Sequence, residues 1–153
     1  MDETRAIVLS EFEKSEEDVK DGMDIALCSL TGRTLKFAGA NNPLWIIRKG
    51  STNLEVIKGN QQPIGKFDNA VPFTTHSVEL EEGDTFYVFS DGFADQFGGE
   101  QNKKFKSINF KKLLLSIQDQ NMDEQRITLD KAFTDWQGDM DQVDDVCVIG
   151  VRV

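Results

Sequence analysis

The pattern of apolar and polar positions divides the chain into short strands and a few helices. Residues 2–12 predict a short first helix. Apolar or alternating runs, separated by turns, then predict strands over residues 25–30, 34–38, 44–48, 54–57, 73–80, 85–90 and 146–151. Short turns between neighbouring runs predict two hairpins, one formed by 25–30 with 34–38 and the other by 73–80 with 85–90.

Two amphipathic helices are predicted between the last two strands. The first has an apolar stripe at i, i+3, i+4 and i+7, formed by Phe110, Leu113, Leu114 and Ile117. Asn121 followed by Glu124 resembles a capping box that opens the second helix, and Gly138 is expected to end it.

Three polar stretches are expected to be irregular. Residues 14–22 are acidic and predict a solvated helix end or a loop. Residues 59–72 form the longest irregular stretch, which is either a functional loop or a plain surface excursion. Residues 98–107 carry several lysines and are interpreted as a flexible connector.

The last strand determines the predicted fold class. Val146 and Val148 point to one face of it, while Cys147, Ile149 and Val151 point to the other, so both faces should be covered. A meander of strands with inserted amphipathic helices therefore predicts an α+β fold, with two packed sheets and helices outside them.

Composition and charge exclude several classes of function. The chain has 153 residues, enough for one domain with a sizeable core. Its formal net charge of −10 argues against binding to nucleic acid and against contact with an anionic membrane. The N-terminus lacks a signal-peptide pattern and the sequence lacks an apolar run of membrane-spanning length, so a cytoplasmic protein is expected.

Cysteine and histidine content limits the possible chemistry. Cys28 and Cys147 lie in apolar runs and are expected to be buried free thiols, with one disulfide as the alternative. His76 is the one histidine of the sequence, which makes a zinc site, a histidine-rich metal site or a Ser-His-Asp triad implausible.

Acidic residues flank the two most apolar strands. Asp91 directly follows the strand at 85–90, with Gly92 permitting a sharp turn, and Asp144 and Asp145 directly precede the strand at 146–151. If these strands are antiparallel neighbours, the three carboxylates lie on one rim of the sheet and indicate a divalent cation. In the alternative, Asp91 caps the next turn and the Asp144–Asp145 pair is a polar start to the last strand.

Four motifs in order resemble those of one enzyme family. They are Gly-Ala-Asn-Asn-Pro at 39–43, Gln-Pro-Ile-Gly at 62–65, Gly-Asp at 83–84 followed by Ser-Asp-Gly at 90–92, and Asp-Asp-Val at 144–146. Together, from about Asp21 onward, they resemble the metal-dependent protein phosphatase (PPM) family, closest to its bacterial SpoIIE/RsbU-type serine phosphatases. A single Ser-Asp-Gly is unspecific, and the ordered set carries the resemblance.

The resemblance implies a fold, a cofactor and a site. The expected fold is an αββα sandwich of two mostly antiparallel sheets with two Mn²⁺ or Mg²⁺ ions at one end. It implies Asp91 and Asp144 as metal ligands, Asp145 as a weaker one, and the neighbouring substrate-side positions Gly92, Gly65 and Asn41. The implied reaction is hydrolysis of a phosphoserine or phosphothreonine by water activated between two metal ions.

The resemblance also implies partners and a cellular setting. The usual substrate of the family is a phosphorylated regulatory protein similar to an anti-sigma-factor antagonist, and an upstream sensor domain is the usual context. Signal transduction in the bacterial cytoplasm is the implied setting.

One departure from the family pattern changes the expectation. The family's upstream Asp-x-Ser/Thr-Gly-His-Gly segment has no counterpart in this sequence. Residues 1–153 are therefore interpreted as the C-terminal portion of a single phosphatase domain, with 1–22 as a lead-in helix and acidic loop. The chain alone is expected to lack a complete metal site, to be inactive or nearly so, and to self-associate through an uncovered face or sheet edge.

Two alternatives from other classes remain open at this point. The chain could be a non-catalytic signalling or interaction module that keeps the phosphatase-like fold. It could also be an unrelated acidic β-sandwich binding domain, in which case the four motifs coincide by chance.

Overall fold

The computed structural model describes residues 1–14 and 21–153, and within these ranges it contains four helices and eleven strands. Their bounds are α1 Asp2–Phe12, β1 Gly22–Met23, β2 Ile25–Thr31, β3 Thr34–Ala40, β4 Leu44–Ile47, β5 Leu54–Ile57, β6 Ile64–Gly65, β7 His76–Glu79, β8 Thr85–Phe89, α2 Gly92–Asp95, β9 Phe97–Gly98, β10 Lys103–Lys104, α3 Ser107–Ser116, α4 Met122–Gln137 and β11 Val148–Arg152. The chain forms two compact units, residues 1–45 with 56–81 and residues 46–55 with 82–153. The assignment of 1–153 to one phosphatase domain stays a prediction.

The first unit is built on a three-stranded antiparallel sheet in the order β2, β3, β7. β2 and β3 form the predicted hairpin, with Thr31 opposite Thr34 at the turn. Because β3 is the central strand, its side chains Leu35 and Phe37 are almost fully buried. α1 has the predicted bounds, and Val8 from this helix packs on a cluster of Ala40, Ile64 and Phe73.

The second unit is built around β8 and β11, which pair antiparallel over five residues from Val148 opposite Phe89 to Arg152 opposite Thr85. The strand order is β11, β8, β4, β5, and this unit contains residues 46–47 of β4 and 54–55 of β5. As predicted, the β8 side chains Phe86, Tyr87 and Val88 are buried.

An aromatic cluster in the second unit holds the helices. The Phe93 ring stacks on Phe110 of α3 with centroids 4.5 Å apart, and it also contacts Phe105 and Phe133 at 5.2 Å. Full burial of Phe110 stabilises the unit by about 2 kcal/mol. The predicted capping box opens α4, because Asn121 accepts from the Glu124 amide while the Glu124 carboxylate accepts from the Asn121 amide.

Two of the predicted connections are wrong. β7 pairs with β3, whereas β8 pairs with β11, so residues 73–80 and 85–90 do not form a hairpin. The apolar pattern determines that each run is a strand but leaves its partner open. The predicted flexible connector at 98–107 is also ordered, because β9 and β10 form a short antiparallel hairpin there.

The prediction that both faces of the last strand are covered is wrong. β11 begins at Val148, and Ile149 is 52% exposed. β11 is one of the two end strands in the described order, so it has a neighbouring strand on one side only and fewer side chains surround Ile149 than surround a central strand. Cys147 lies before the strand and is exposed, and Cys28 is half-buried, so both thiols are free but neither is fully buried as predicted. Of the predicted acidic loop, residues 15–20 lie outside the described residues.

Candidate metal centre

Asp91 and the Asp144–Asp145 pair lie at the same end of the β8–β11 ladder. Val148 lies opposite Phe89, and just beyond this pair the Ser90 amide donates a hydrogen bond of 3.0 Å to the Cys147 carbonyl. Asp91 therefore leaves the ladder where Asp145 approaches it. The predicted antiparallel pairing is confirmed, and with it the common rim of the acidic residues.

The Ser90 hydroxyl connects the two strand ends a second time. It donates a hydrogen bond of 2.7 Å to the carbonyl oxygen of Asp145 and accepts one of 2.9 Å from the amide of Cys147. Just beyond the last regular pair, the hydroxyl thus donates and accepts hydrogen bonds as a backbone carbonyl and amide do within the ladder. These two hydrogen bonds hold the backbone of Asp145 next to Ser90, the residue directly before Asp91.

Gly92 is required by the close approach of the Asp145 backbone. A Cβ atom at Gly92 would lie 2.5 Å from the carbonyl oxygen of Asp145, closer than such atoms approach in real structures. Gly92 begins the short helix α2, and the carbonyl of Asp91 accepts a hydrogen bond of 3.0 Å from the Asp95 amide. Asp91 is the N-cap residue of α2, as the alternative expected, but its side chain makes no capping hydrogen bond.

The carboxylates of the site are exposed. Asp91, Asp144 and Asp145 all have exposed side chains. The Asp144 Oδ1 atom accepts a hydrogen bond of 2.7 Å from the Asp145 amide, which orients this carboxylate along its own loop. Gln142 Nε2 donates to the Asp144 carbonyl at 2.7 Å and stabilises the same loop.

The other two predicted site residues, Asn41 and Gly65, belong to the first unit. Asn41 adopts a φ of 56° directly after β3, and its Nδ2 donates a hydrogen bond of 2.7 Å to Asp24. Gly65 pairs with Gly22, and a Cβ atom there would lie 2.7 Å from the carbonyl oxygen of Asp21. Both positions are held by close backbone contacts, and their substrate-side role stays a prediction.

Two residues of the second unit support the loop before β11 and were missed from the sequence. Ser90 belongs to the Ser-Asp-Gly motif, so its position next to Asp91 was a usable signal. Gln96 is fully buried and contacts the loop at Asp141 and Val143. Nothing in the sequence around Gln96, which is followed by Phe97 and two glycines, indicates that this polar side chain is buried.

The donor chemistry of this edge suits a hard divalent cation, but the number of donors does not suit a two-ion centre. Carboxylate oxygens are the ligands that Mg²⁺ and Mn²⁺ prefer. Within residues 1–14 and 21–153, however, no three acidic, histidine or cysteine side chains are gathered closely enough to hold an ion. The described residues therefore do not form a complete metal site, and we derive no catalytic step through a metal ion.

Comparison with solved structures defines the class of the fold. The chain resembles the SiaA-PP2C domain of Pseudomonas aeruginosa, with a TM-score of 0.70 and 33% identity, covering 79% of this chain and 47% of that one. It has the fold of the PP2C phosphatase domain of the cell fate determinant SpoIIE from Bacillus subtilis, with a TM-score of 0.68 and 20% identity, covering 97% and 42% of the two chains. The Mycobacterium tuberculosis serine/threonine phosphatase PstP/Ppp shares the fold with a TM-score of 0.60 and 15% identity, covering 95% and 66%.

The fold is thus the α+β fold of PP2C-type (PPM) phosphatase domains. The sequence model of the family "Stage II sporulation protein E (SpoIIE)" matches residues 8–153, and the chain belongs to this family. It spans about half the length of the first two solved relatives named above. No curated protein matches the chain. In the two described ranges, no helix is both long and apolar enough to cross a membrane.

Proposed function

We propose that this chain is part of a metal-dependent protein-serine/threonine phosphatase domain in which Asp91 and Asp144 bind Mn²⁺ or Mg²⁺. The observation that supports this most directly is the antiparallel pairing of β8 and β11, whose register brings Asp91 and the Asp144–Asp145 pair to the same end of the two strands. The family match and the PP2C fold supply the reaction class, hydrolysis of a phosphoric monoester on serine or threonine.

The cofactor proposal rests on donor type and on the relatives. All three acids offer carboxylate oxygens, and Asp145 is the weaker candidate because the resemblance to the family assigns the metal to the first acid of the pair. A solved structure of the Bacillus subtilis SpoIIE phosphatase domain is described as Mn presoaked. A two-ion centre needs ligands beyond the described acids, so we propose that the chain by itself hydrolyses phosphoserine very slowly or not at all.

The proposed substrate is a phosphorylated regulatory protein similar to an anti-sigma-factor antagonist, under the control of a sensor domain in the same protein. The net charge of −10 supports a protein substrate over a nucleic acid, because phosphodiester backbones would be repelled. The substrate phosphate needs a cation to bind next to three carboxylates, which is the role proposed for the metal.

A non-catalytic interaction module is the second candidate. It is favoured by the lack of a three-ligand cluster among the described residues and by the exposure of Ile149 on the outermost strand. In that case the acids at 91, 144 and 145 have no metal to bind, and the fold alone has been retained.

The experiment is a Mn²⁺ titration by calorimetry on the wild-type chain, on Asp91→Asn, on Asp144→Asn and on the control Asp130→Asn. Asp130 is an exposed aspartate of α4 that forms no part of the proposed centre. Binding of a phosphoserine peptide is then measured with and without Mn²⁺, and its hydrolysis is followed.

The proposal expects weak Mn²⁺ binding, with a Kd of about 0.1–1 mM, because the ligands are so few. Asp91→Asn and Asp144→Asn should each lower the Mn²⁺ affinity at least tenfold. Asp130→Asn should bind as the wild type does, and the phosphopeptide should bind only with Mn²⁺. Absence of any effect of Asp91→Asn would contradict the metal assignment and favour the interaction module. Tight Mn²⁺ binding with turnover would show that another residue of this chain completes the centre.

A further inference from the structure

Gln96 is a fully buried amide directly after α2, and its side chain contacts the loop that carries Asp144. Its Nε2 donates hydrogen bonds to the carbonyl oxygens of Asp141, at 2.9 Å, and of Phe97, at 3.0 Å. Its Oε1 accepts a longer one, 3.4 Å, from the amide of Val143. One side chain therefore binds the loop through both a donor and an acceptor.

The backbone of Gln96 is fixed from two further directions. Its carbonyl oxygen accepts hydrogen bonds from Nε1 of Trp136, at 3.1 Å, and from the amide of Phe105, at 2.9 Å. Gly98 lies so close to Trp136 that a Cβ atom there would come within 1.8 Å of the Trp136 carbonyl oxygen. The end of α4 and the β9–β10 hairpin thus hold Gln96 in place while it holds the loop.

Ser90 fastens the same loop at its other end, at Asp145 and Cys147. Gln96 contacts Asp141 and Val143, so the two attachments enclose Asp144. We propose that Gln96 is a positioning residue: together with Ser90 it holds segment 141–147 so that Asp144 and Asp145 stay at the same end of the β8–β11 ladder as Asp91. Its importance for metal binding rests on the function proposed above.

The chemistry of the contact explains why an amide is needed. The loop presents a carbonyl oxygen at Asp141 and an N–H group at Val143, so its partner must both donate and accept a hydrogen bond. An apolar side chain of the same size fills the volume but leaves both backbone groups without a partner in a water-poor site. Such a loss should loosen the loop without disturbing the aromatic cluster.

The test uses the unbranched, similarly sized Gln96→Met, with Gln125→Met as its matched control. Gln125 is also a buried glutamine of the second unit, 1% exposed, but it bonds to Tyr87 and Gln120 instead of the loop. Amide hydrogen exchange over 141–147 is measured on the metal-free proteins, and Mn²⁺ affinity is measured separately by calorimetry. Ser90→Ala is the second variant, in case Gln96→Met does not fold.

Gln96→Met should speed exchange at residues 144–147 about tenfold, beyond the single amide of Val143 that it frees directly, whereas Gln125→Met should not. Ser90→Ala should speed exchange in the same segment. Faster exchange at Val143 alone, or an equal increase in both glutamine variants, would overturn the positioning role. If Ser90→Ala is the only folded variant and leaves 141–144 unchanged, the proposed joint attachment is wrong.

The Mn²⁺ measurement separates this inference from the proposed function. An affinity lowered about tenfold by Gln96→Met and unchanged by Gln125→Met supports both. If the wild type binds no Mn²⁺ while the loop still loosens, the proposed function fails and the positioning of the loop stands. If Asp91→Asn abolishes Mn²⁺ binding but Gln96→Met leaves affinity and exchange unchanged, the function stands and the positioning inference fails.

Discussion

The hydroxyl of Ser90 donates a hydrogen bond of 2.7 Å to the carbonyl oxygen of Asp145, 55 residues later in the chain. This contact joins the end of β8 to the loop before β11 where the regular ladder stops. Because Asp91 is the next residue after Ser90, this side chain helps to hold Asp145 at the same end of the ladder as Asp91.

Replacing Ser90 with alanine should therefore weaken metal binding and stability together. Ser90→Ala removes the partner of the Asp145 carbonyl and of the Cys147 amide, which should cost about 1 kcal/mol of unfolding free energy and about tenfold in Mn²⁺ affinity. Urea unfolding and calorimetry measure the two effects. Ser90→Thr keeps the hydroxyl and should retain most of both. Equal losses in the two variants would indicate that packing, and not the hydrogen bonds, determines the spacing.

Gly92→Ala should disturb the same edge by steric contact. Its Cβ would meet the Asp145 carbonyl oxygen at 2.5 Å and Val146 Cγ2 at 3.2 Å, so the backbone of the loop must shift. We expect a loss of about 1–3 kcal/mol in stability, measured by urea unfolding, and weaker Mn²⁺ binding. A variant as stable as the wild type with unchanged affinity would show that the loop moves freely at this point.

Removing Arg48 from its ion pair with Asp84 should destabilise the protein more than neutralising Asp84 does. Asp84 is 2% exposed and accepts from Arg48 at 2.8 Å and from the Lys49 amide at 2.9 Å. The hydrogen bonds that Arg48 donates, first to Glu55 and then to Asp84, raise the pKa of Arg48, so it stays charged. Arg48→Met leaves a buried carboxylate poorly compensated and should cost about 3 kcal/mol, and Asp84→Asn should cost less because it can still accept from Lys49. Urea midpoints at pH 7 decide the order, and the reverse order would contradict the buried-charge argument.

Tyr87 should titrate above its ordinary value, because burial raises the pKa of its hydroxyl despite opposing effects of Gln118, Arg152 and Gln125. The folded state then holds this proton more tightly than the unfolded state. The resulting stability is present below pH of about 10 and is lost as the pH rises toward the folded-state pKa. Tyr87 is the only tyrosine of the sequence, so tyrosinate absorbance at alkaline pH reports it directly.

Tyr87→Phe has no hydroxyl to titrate at this position. The part of the stability loss above a pH of about 10 that Tyr87 causes should therefore disappear in this variant. The variant should also lose about 1–2 kcal/mol at neutral pH, because Gln118 loses the hydroxyl to which it donates and Gln125 loses the hydroxyl from which it accepts. A wild-type absorbance midpoint at or below the value for free tyrosine would contradict the argument from burial.

The outer edge of β11 should cause concentration-dependent self-association. β11 is the outermost strand of its sheet in the described order, and Ile149 exposes 52% of its surface there. A second copy that adds its own strand along this edge would satisfy the unpaired backbone groups. Sedimentation should show reversible dimers that Ile149→Lys disrupts, with Ile127→Lys on α4 as an exposed control. A monomer at all concentrations would contradict this prediction.

Much of the local structure was predictable because neighbours along the chain decide it. The capping box of Asn121 and Glu124 and the end of α4 at Gly138 depend on residues within one turn of each helix end, and α1 follows from the pattern of its own residues. The β2–β3 hairpin follows from its short turn. The position of Asp91, Asp144 and Asp145 at one end of the sheet was also predictable. It required only that the two apolar strands next to them pair antiparallel.

The errors concern contacts between distant segments. The run at 73–80 pairs with β3 and not with β8, and nothing in its alternation names the partner. The residues at 98–107 looked polar and mobile, yet Gly98 and Gly99 allow the hairpin to lie against Trp136. Ile149 looked like a core residue, but its strand is the outermost one.

The sequence by itself determined the class of fold, the elements that depend on local spacing, and the acids that follow β8 and precede β11. The tertiary structure alone decided that Ser90 and Gln96 hold the Asp144 loop, and that β11 is an end strand of its sheet in the described part of the chain. The physical reason is range: helix caps, tight turns and apolar periodicity act over a few residues. Burial of an amide and the choice of a strand's neighbour depend instead on groups that are distant in the chain and meet only in the folded protein.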